Sequence, residues 1–132
     1  MSTPAAPSVA RCSLMLLAVR AHLKLRGFGP SVRWARGLAA RARVDASSTG
    51  IVEPTAYRVA VAAAFFPGRA VCLEQSLALY VLLRRRGVPA ELCLGVQAYP
   101  FQAHAWVELD GRPVNEDAEV VEKFRRMPQV AS

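Results

Sequence analysis

A thiol at Cys72, an imidazole at His104 and carboxylates at Glu116 and Asp117 follow one another in the order nucleophile, base, orienting acid. Side chains of these types can run acyl transfer: the base takes the thiol proton, the thiolate attacks a carbonyl, and the acid fixes the base. A thiol is a weak nucleophile until it ionises, and the unpaired N–H groups and dipole of a helix N-terminus favour the thiolate. Cys72 stands near the head of a predicted helix, where its own N–H could also donate to an oxyanion. The competing reading is a buried, inert cysteine, a common fate for an isolated thiol. His104 lies in a predicted strand, and a lone strand histidine is more often a hydrogen-bonded structural residue than a base. The ordered combination is a more specific signal than any one member.

The other reactive side chains point nowhere in particular. Cys12 and Cys93 bring the cysteine count to three, an odd number without C-x-x-C spacing, which argues against a disulfide framework and fits a reducing cytoplasm. Both read as structural thiols. His22 sits among basic residues and reads as a solvated helix position. Two histidines and three scattered cysteines provide no zinc spacing, and GxGxxG and Walker A patterns are absent, so neither a metal nor a cofactor is assigned.

Elements that could position the candidate groups can be traced along the chain. Residues 1–7 read as a disordered lead-in. A first helix over 8–26 mixes Leu14, Leu17, Val19, Leu23 and Leu25 with basic residues and stops at Gly27 and Gly29-Pro30. A second basic helix is predicted from Ser31, as its N-cap, to about Arg43, with a loop at 47–50. Pro54 suits the first position of a third, alanine-rich helix running to Phe66. The fourth starts near Ala70 or Val71 and carries Cys72, Ser76, Leu79 and Leu83 on one face. It closes with Arg84, Arg85 and Arg86, whose charges complement the helix dipole without any partner, before Gly87 and Pro89.

After Pro89 the apolar period becomes two. Leu92, Leu94 and Val96 alternate with Glu91, Cys93 and Gly95 in a strand over 90–96, and a second strand spans 102–109 with His104, Trp106 and Glu108 on one face. Asp110-Gly111 is a two-residue hairpin signal, with a returning strand over 112–115 and a short closing helix over 117–127. An ideal hairpin register pairs Leu109 with Arg112 and His104 with Asp117, which favours Asp117 as the acid and turns Glu116 away; one bulge reverses the choice. Asp117 could equally cap the closing helix. Helices followed by a small antiparallel sheet define an α+β fold, here one domain over 8–127 with a basic helical part (8–50) and a core bearing the chemistry (54–127).

Composition agrees with a folded chain, at 53% hydrophobic and 20% charged residues. The apolar run 13–19 is interrupted by Arg20, His22 and Lys24 well before membrane-spanning length, so neither a signal peptide nor a transmembrane helix is expected. The net charge of +7 is uneven: eight basic residues and no acid precede Asp45, while the other nine basic residues face all ten acids. A basic binding module for nucleic acid or membrane is therefore a second class of reading, with Phe28 and Trp34 among the arginines. Two aromatics in amphipathic helices are more often core anchors, so nucleic acid is not taken as a partner.

The segments CLEQSLALYVLLRRRG from Cys72, PFQAHAWVE from Pro100 and DGRPVNE from Asp110 resemble the leader peptidases of bacterial lasso-peptide biosynthesis. These form the microcin-processing C-terminal-domain family within the transglutaminase-like, papain-related cysteine hydrolases. The resemblance covers about residues 66–124. It implies that Cys72 is the nucleophile, His104 the base, and Glu116, at the family's VN[DE] position, the third member, with Asp117 as the alternative. It further implies a cysteine peptidase that cuts the leader from a ribosomally made precursor peptide and hands the free α-amine to a separate cyclase. The chain resembles the stand-alone form that works with a small leader-binding protein. The same triad could instead serve acyl transfer to an amine.

Overall fold

The computed structural model describes residues 6–40, 50–65, 72–97, 102–116, 118–122 and 124–126. Ser8 caps the first helix, α1 (Val9–Arg26), its side chain accepting the Arg11 N–H at 3.2 Å. Ala6 and Pro7, read from sequence as loose lead-in, are held: Arg58 donates to their carbonyls at 3.2 and 3.1 Å. Residues 1–5 lie outside the described residues.

Gly27, at φ 84°, turns the chain directly into α2 (Phe28–Ala40). The helix therefore starts three residues before the expected Ser31 cap, and Pro30 is tolerated because its missing N–H falls within the first turn. Ser31 is instead a buried interior position whose hydroxyl lies 2.8 Å from His22 Nδ1. His22, expected to be solvated, is half-buried and stacked on Trp34 with centroids 4.5 Å apart. The end predicted near Arg43 and most of the 47–50 loop fall outside the described residues. The third helix, α3 (Val52–Phe65), places Pro54 within its first turn rather than at its first position.

Next comes α4 (Cys72–Arg84), in which Glu74 and every residue from Ser76 to Leu83 are buried. It is covered by α1, α2 and α3 on one side and by the sheet on the other. Leu77, Leu79 and Leu83 are fully buried. Each contributes about 1.5–3 kcal/mol, against about 1 kcal/mol for a helix cap. Tertiary burial therefore holds this helix more than its terminal signals do. Glu74 is admitted to the interior by Arg20 of α1, whose Nε lies 2.6 Å from its carboxylate. Gly87, at φ 91°, ends the turn after α4, and the Val88 N–H returns to the Leu83 carbonyl at 3.0 Å. Where α4 meets residues 66–71 is outside the described residues.

The sheet is antiparallel, in the order β3 (Arg112–Pro113), β2 (Gln102–Leu109), β1 (Glu91–Gln97), β4 (Arg125–Arg126). Asp110 and Gly111, at φ 53° and 79°, make the two-residue turn that the sequence signalled. Leu92 and Val107 join the core, with Leu94 and Leu109 packed against it. The opposite face carries Cys93, Gly95, His104, Trp106 and Glu108, by strand alternation. Two expectations are corrected here. The returning strand is two residues long instead of four, and the closing helix is the single turn α5 (Ala118–Val121), after which β4 pairs with the free edge of β1. No helix among the described residues is long and apolar enough to cross a membrane.

Gly95 stands opposite His104 in the β1–β2 register. A Cβ there would meet Phe124 Cβ at 2.8 Å and Trp106 Cη2 at 2.9 Å. Because Cβ of Phe124 is anchored to backbone, the clash cannot be relieved by rotating a flexible side chain. Gly95→Ala is expected to lower unfolding free energy by about 1–3 kcal/mol, the range for overpacking a filled interior, and chemical denaturation measures it.

Candidate active site

Cys72 is the first residue of α4 and half-buried, where the free N–H groups of the first turn gather. The cavity beside it holds about 130 Å³ and is lined by Phe28, Cys72, Leu73, Leu94, Gly95, His104 and Ala105. The thiol and the imidazole therefore line the same cavity, although they are separated in sequence by the rest of α4, by β1 and by the first two residues of β2.

His104 is fixed on three sides. Its Nε2 lies 2.5 Å from Glu116 Oε2, its ring stacks on Phe124 with centroids 5.1 Å apart, and Trp106 follows at 6.1 Å. With the proton on Nε2, the ring donates to the carboxylate, and Nδ1 holds the lone pair available to a second group. The side chains of His104 and Glu116 are 15% and 23% exposed, so the contact is sheltered without being sealed from water.

The hairpin register explains why Glu116 reaches the imidazole. Pairing is ideal as far as Leu109 with Arg112 and Glu108 with Pro113, and the Val114 N–H still donates to the Val107 carbonyl at 2.8 Å. There the ladder breaks. The Val107 N–H, which an ideal ladder would give to a backbone carbonyl, is taken at 2.8 Å by the Asn115 side-chain Oδ1. Asn115 also donates from Nδ2 to Ser76 Oγ at 3.0 Å, and Ser76 donates to the Ala105 carbonyl at 2.9 Å. This chain ties α4, β2 and the strand after the turn together immediately before Glu116. Asp117, favoured by the ideal register, lies outside the described residues. Sequence reading did not single out Ser76 and Asn115 as partners, although Ser76 was placed on the face of α4 shared with Cys72.

The remaining cysteines are sequestered. Cys12 is buried in α1, and burial raises its thiol pKa in spite of the opposing charges of Arg58 and Arg86. Cys93 is 2% exposed on β1.

A sequence model of the transglutaminase-like superfamily matches residues 15–129, and the chain belongs to that superfamily. It is also similar to the microcin J25-processing protein McjB of Escherichia coli, 34% identical over 59 residues. That stretch is 45% of this chain and 28% of McjB, so the chain matches well under a third of the relative's length. No solved structure matches significantly.

Two outcomes are expected from this geometry. Iodoacetamide at neutral pH should modify the folded protein at Cys72 while Cys12 and Cys93 react only after denaturation, because burial keeps them from the reagent and holds Cys12 as the thiol; peptide mapping reads the sites. Ser76→Ala and Asn115→Ala, which each leave a former partner unsatisfied in the interior, should lower unfolding free energy by about 1–3 kcal/mol, measured by denaturant titration.

Proposed function

We propose that this protein is a cysteine peptidase that removes the leader from a ribosomally made lasso-peptide precursor. The observation that carries the reading is the cavity shared by Cys72 and His104, with His104 bonded to Glu116. Membership of the transglutaminase-like superfamily and the similarity to McjB, whose name records microcin J25 processing, support it.

In this mechanism His104 Nδ1 takes the Cys72 proton while Nε2–H stays with Glu116, which offsets the imidazolium charge. The thiolate attacks the carbonyl at the leader–core junction, and the Cys72 N–H donates to the developing oxyanion. His104 then protonates the leaving amine, the new N-terminus of the core peptide, and an acyl-enzyme remains on Sγ. Water, deprotonated by His104, releases the leader and restores the thiol. An amine in place of water would make the same intermediate an acyltransferase, the activity that gives the wider superfamily its name.

The partners proposed are the precursor peptide, a small leader-binding protein and a cyclase that consumes the new amine, all in the cytoplasm. The basic N-terminal helices supply a docking face. Arg11, Lys24 and Arg26 of α1 are exposed beside Leu14, Leu17 and Leu25, which are 67%, 55% and 82% exposed, whereas Arg20 is engaged with Glu74. The domain proposed is one unit from residue 8 to 127.

The test combines the protein with precursor and leader-binding partner and follows cleavage by mass spectrometry. Cys72→Ala and His104→Ala are expected to abolish cleavage. Glu116→Gln, which keeps size but loses charge, is expected to lower kcat at least about a hundredfold, while Asp117→Asn changes it little. Cleavage by Cys72→Ala at the parent rate would refute the peptidase reading. Added alkylamine separates the two fates of the acyl-enzyme: a leader ending in an amide adduct instead of a free carboxylate would assign acyl transfer.

A further inference from the structure

The cavity beside Cys72 has walls that the acyl-transfer steps do not use. Phe28, Leu73 and Leu94 bring three large apolar side chains to a space that, among the described residues, is also lined by Cys72, Gly95, His104 and Ala105. Phe28 was expected from sequence to be a core anchor, yet it is 46% exposed at the first position of α2. Its ring forms part of the cavity lining, across from the sheet residues Leu94 and Gly95.

We infer that this cavity is the specificity subsite for an apolar side chain on the acyl side of the scissile bond, with Phe28, Leu73 and Leu94 as the residues that select it. The inference rests on the peptidase reading above and adds to it the class of residue that the cut site must carry. The side of the bond follows from the chemistry. The acyl part alone stays bonded to Cys72 Sγ through both steps, so a pocket beside Cys72 and Leu73 that holds its side chain acts in each of them, whereas the amine part leaves after the first. The size follows from the volume. At about 130 Å³ the space is close to the apolar cavities of about 150 Å³ that take up a benzene ring. A branched aliphatic side chain therefore fills it. A charged one would lose its hydration against walls with few polar atoms to replace it.

The test needs no precursor and no partner, so it is independent of whether the protein cuts peptides. Acetyl-Leu-Gly, acetyl-Gly-Leu, acetyl-Gly-Gly and acetyl-Asp-Gly chloromethyl ketones are compared as labels of Cys72. In each reaction Sγ displaces chloride from the methylene carbon, a C–S bond replaces the C–Cl bond, and the thiol proton passes to His104. Each rate is divided by that of chloroacetamide, which corrects for the reactivity of the thiol itself. One of the two leucyl reagents is expected to react at least about tenfold faster than the diglycyl reagent, with the aspartyl reagent no faster than diglycyl. Phe28→Ala should reduce that leucyl preference severalfold, and Phe28→Leu, which keeps an apolar wall, should retain more of it. Thermal melts check that both variants fold. Equal normalised rates for all four reagents would overturn the inference, as would an undiminished leucyl preference in a folded Phe28→Ala. Rapid chloroacetamide labelling with all four ketones excluded would also overturn it, by showing that the chain's own residues fill the space. A leucyl preference in a protein that never cuts a precursor would leave the subsite standing and refute the peptidase reading instead.

Discussion

A single buried hydroxyl holds the two halves of this structure in register. Ser76 is fully buried one turn into α4, donates to the Ala105 carbonyl of β2 and accepts from the Asn115 amide. Helix burial by apolar packing is not directional and tolerates sliding. Hydrogen bonds at a fixed residue do not, because each partner left unpaired in the interior costs free energy. The hydroxyl thus sets where along β2 the helix sits. The positions of Cys72 at the helix head and His104 in the strand follow from that setting.

The second constraint acts on the imidazole. Phe124 lies over the His104 ring because β4 returns along β1, and it fits there because Gly95 leaves the space that any side chain would occupy. The glycine, the ring and the returning strand form one packing unit on the face of the sheet away from α4. Trp106 adds a further wall, its indole N–H satisfied by Glu108 at 2.7 Å, so the polar atoms of this second, smaller core are paired. The same arrangement orients the Nε2 atom toward Glu116.

Much of this was legible in the sequence, for physical reasons that differ by element. The period-two pattern of β1 and β2, the Asp110-Gly111 turn and the glycine stops of α1 and α4 are local signals, and each element formed within a residue or two of its predicted place. Cys72 at a helix head and His104 in a strand were readable for the same reason. Glu116 was not, on residue pattern alone. Its carboxylate meets the imidazole where one side-chain amide takes the place of a backbone carbonyl at the Val107 N–H, an event no local propensity encodes. The start of α2 was misplaced because Gly27 both ended one helix and opened the next, which left Ser31 as a buried partner of His22 instead of a cap. β4 was missed because two residues pairing with a distant edge carry no period of their own.

The break at Asn115 also turns the β2–β3 hairpin into a measured length. Everything between His104 and Glu116 is a two-residue alternation carried round a tight turn, and Asn115 terminates it at a fixed point by reaching both Val107 and Ser76. A single residue gained or lost at the tip would send the amide and the carboxylate to opposite faces together, since strand faces swap with every step. An even change in the length of this loop therefore keeps the carboxylate on the imidazole's face, while an odd change needs a bulge to bring it back.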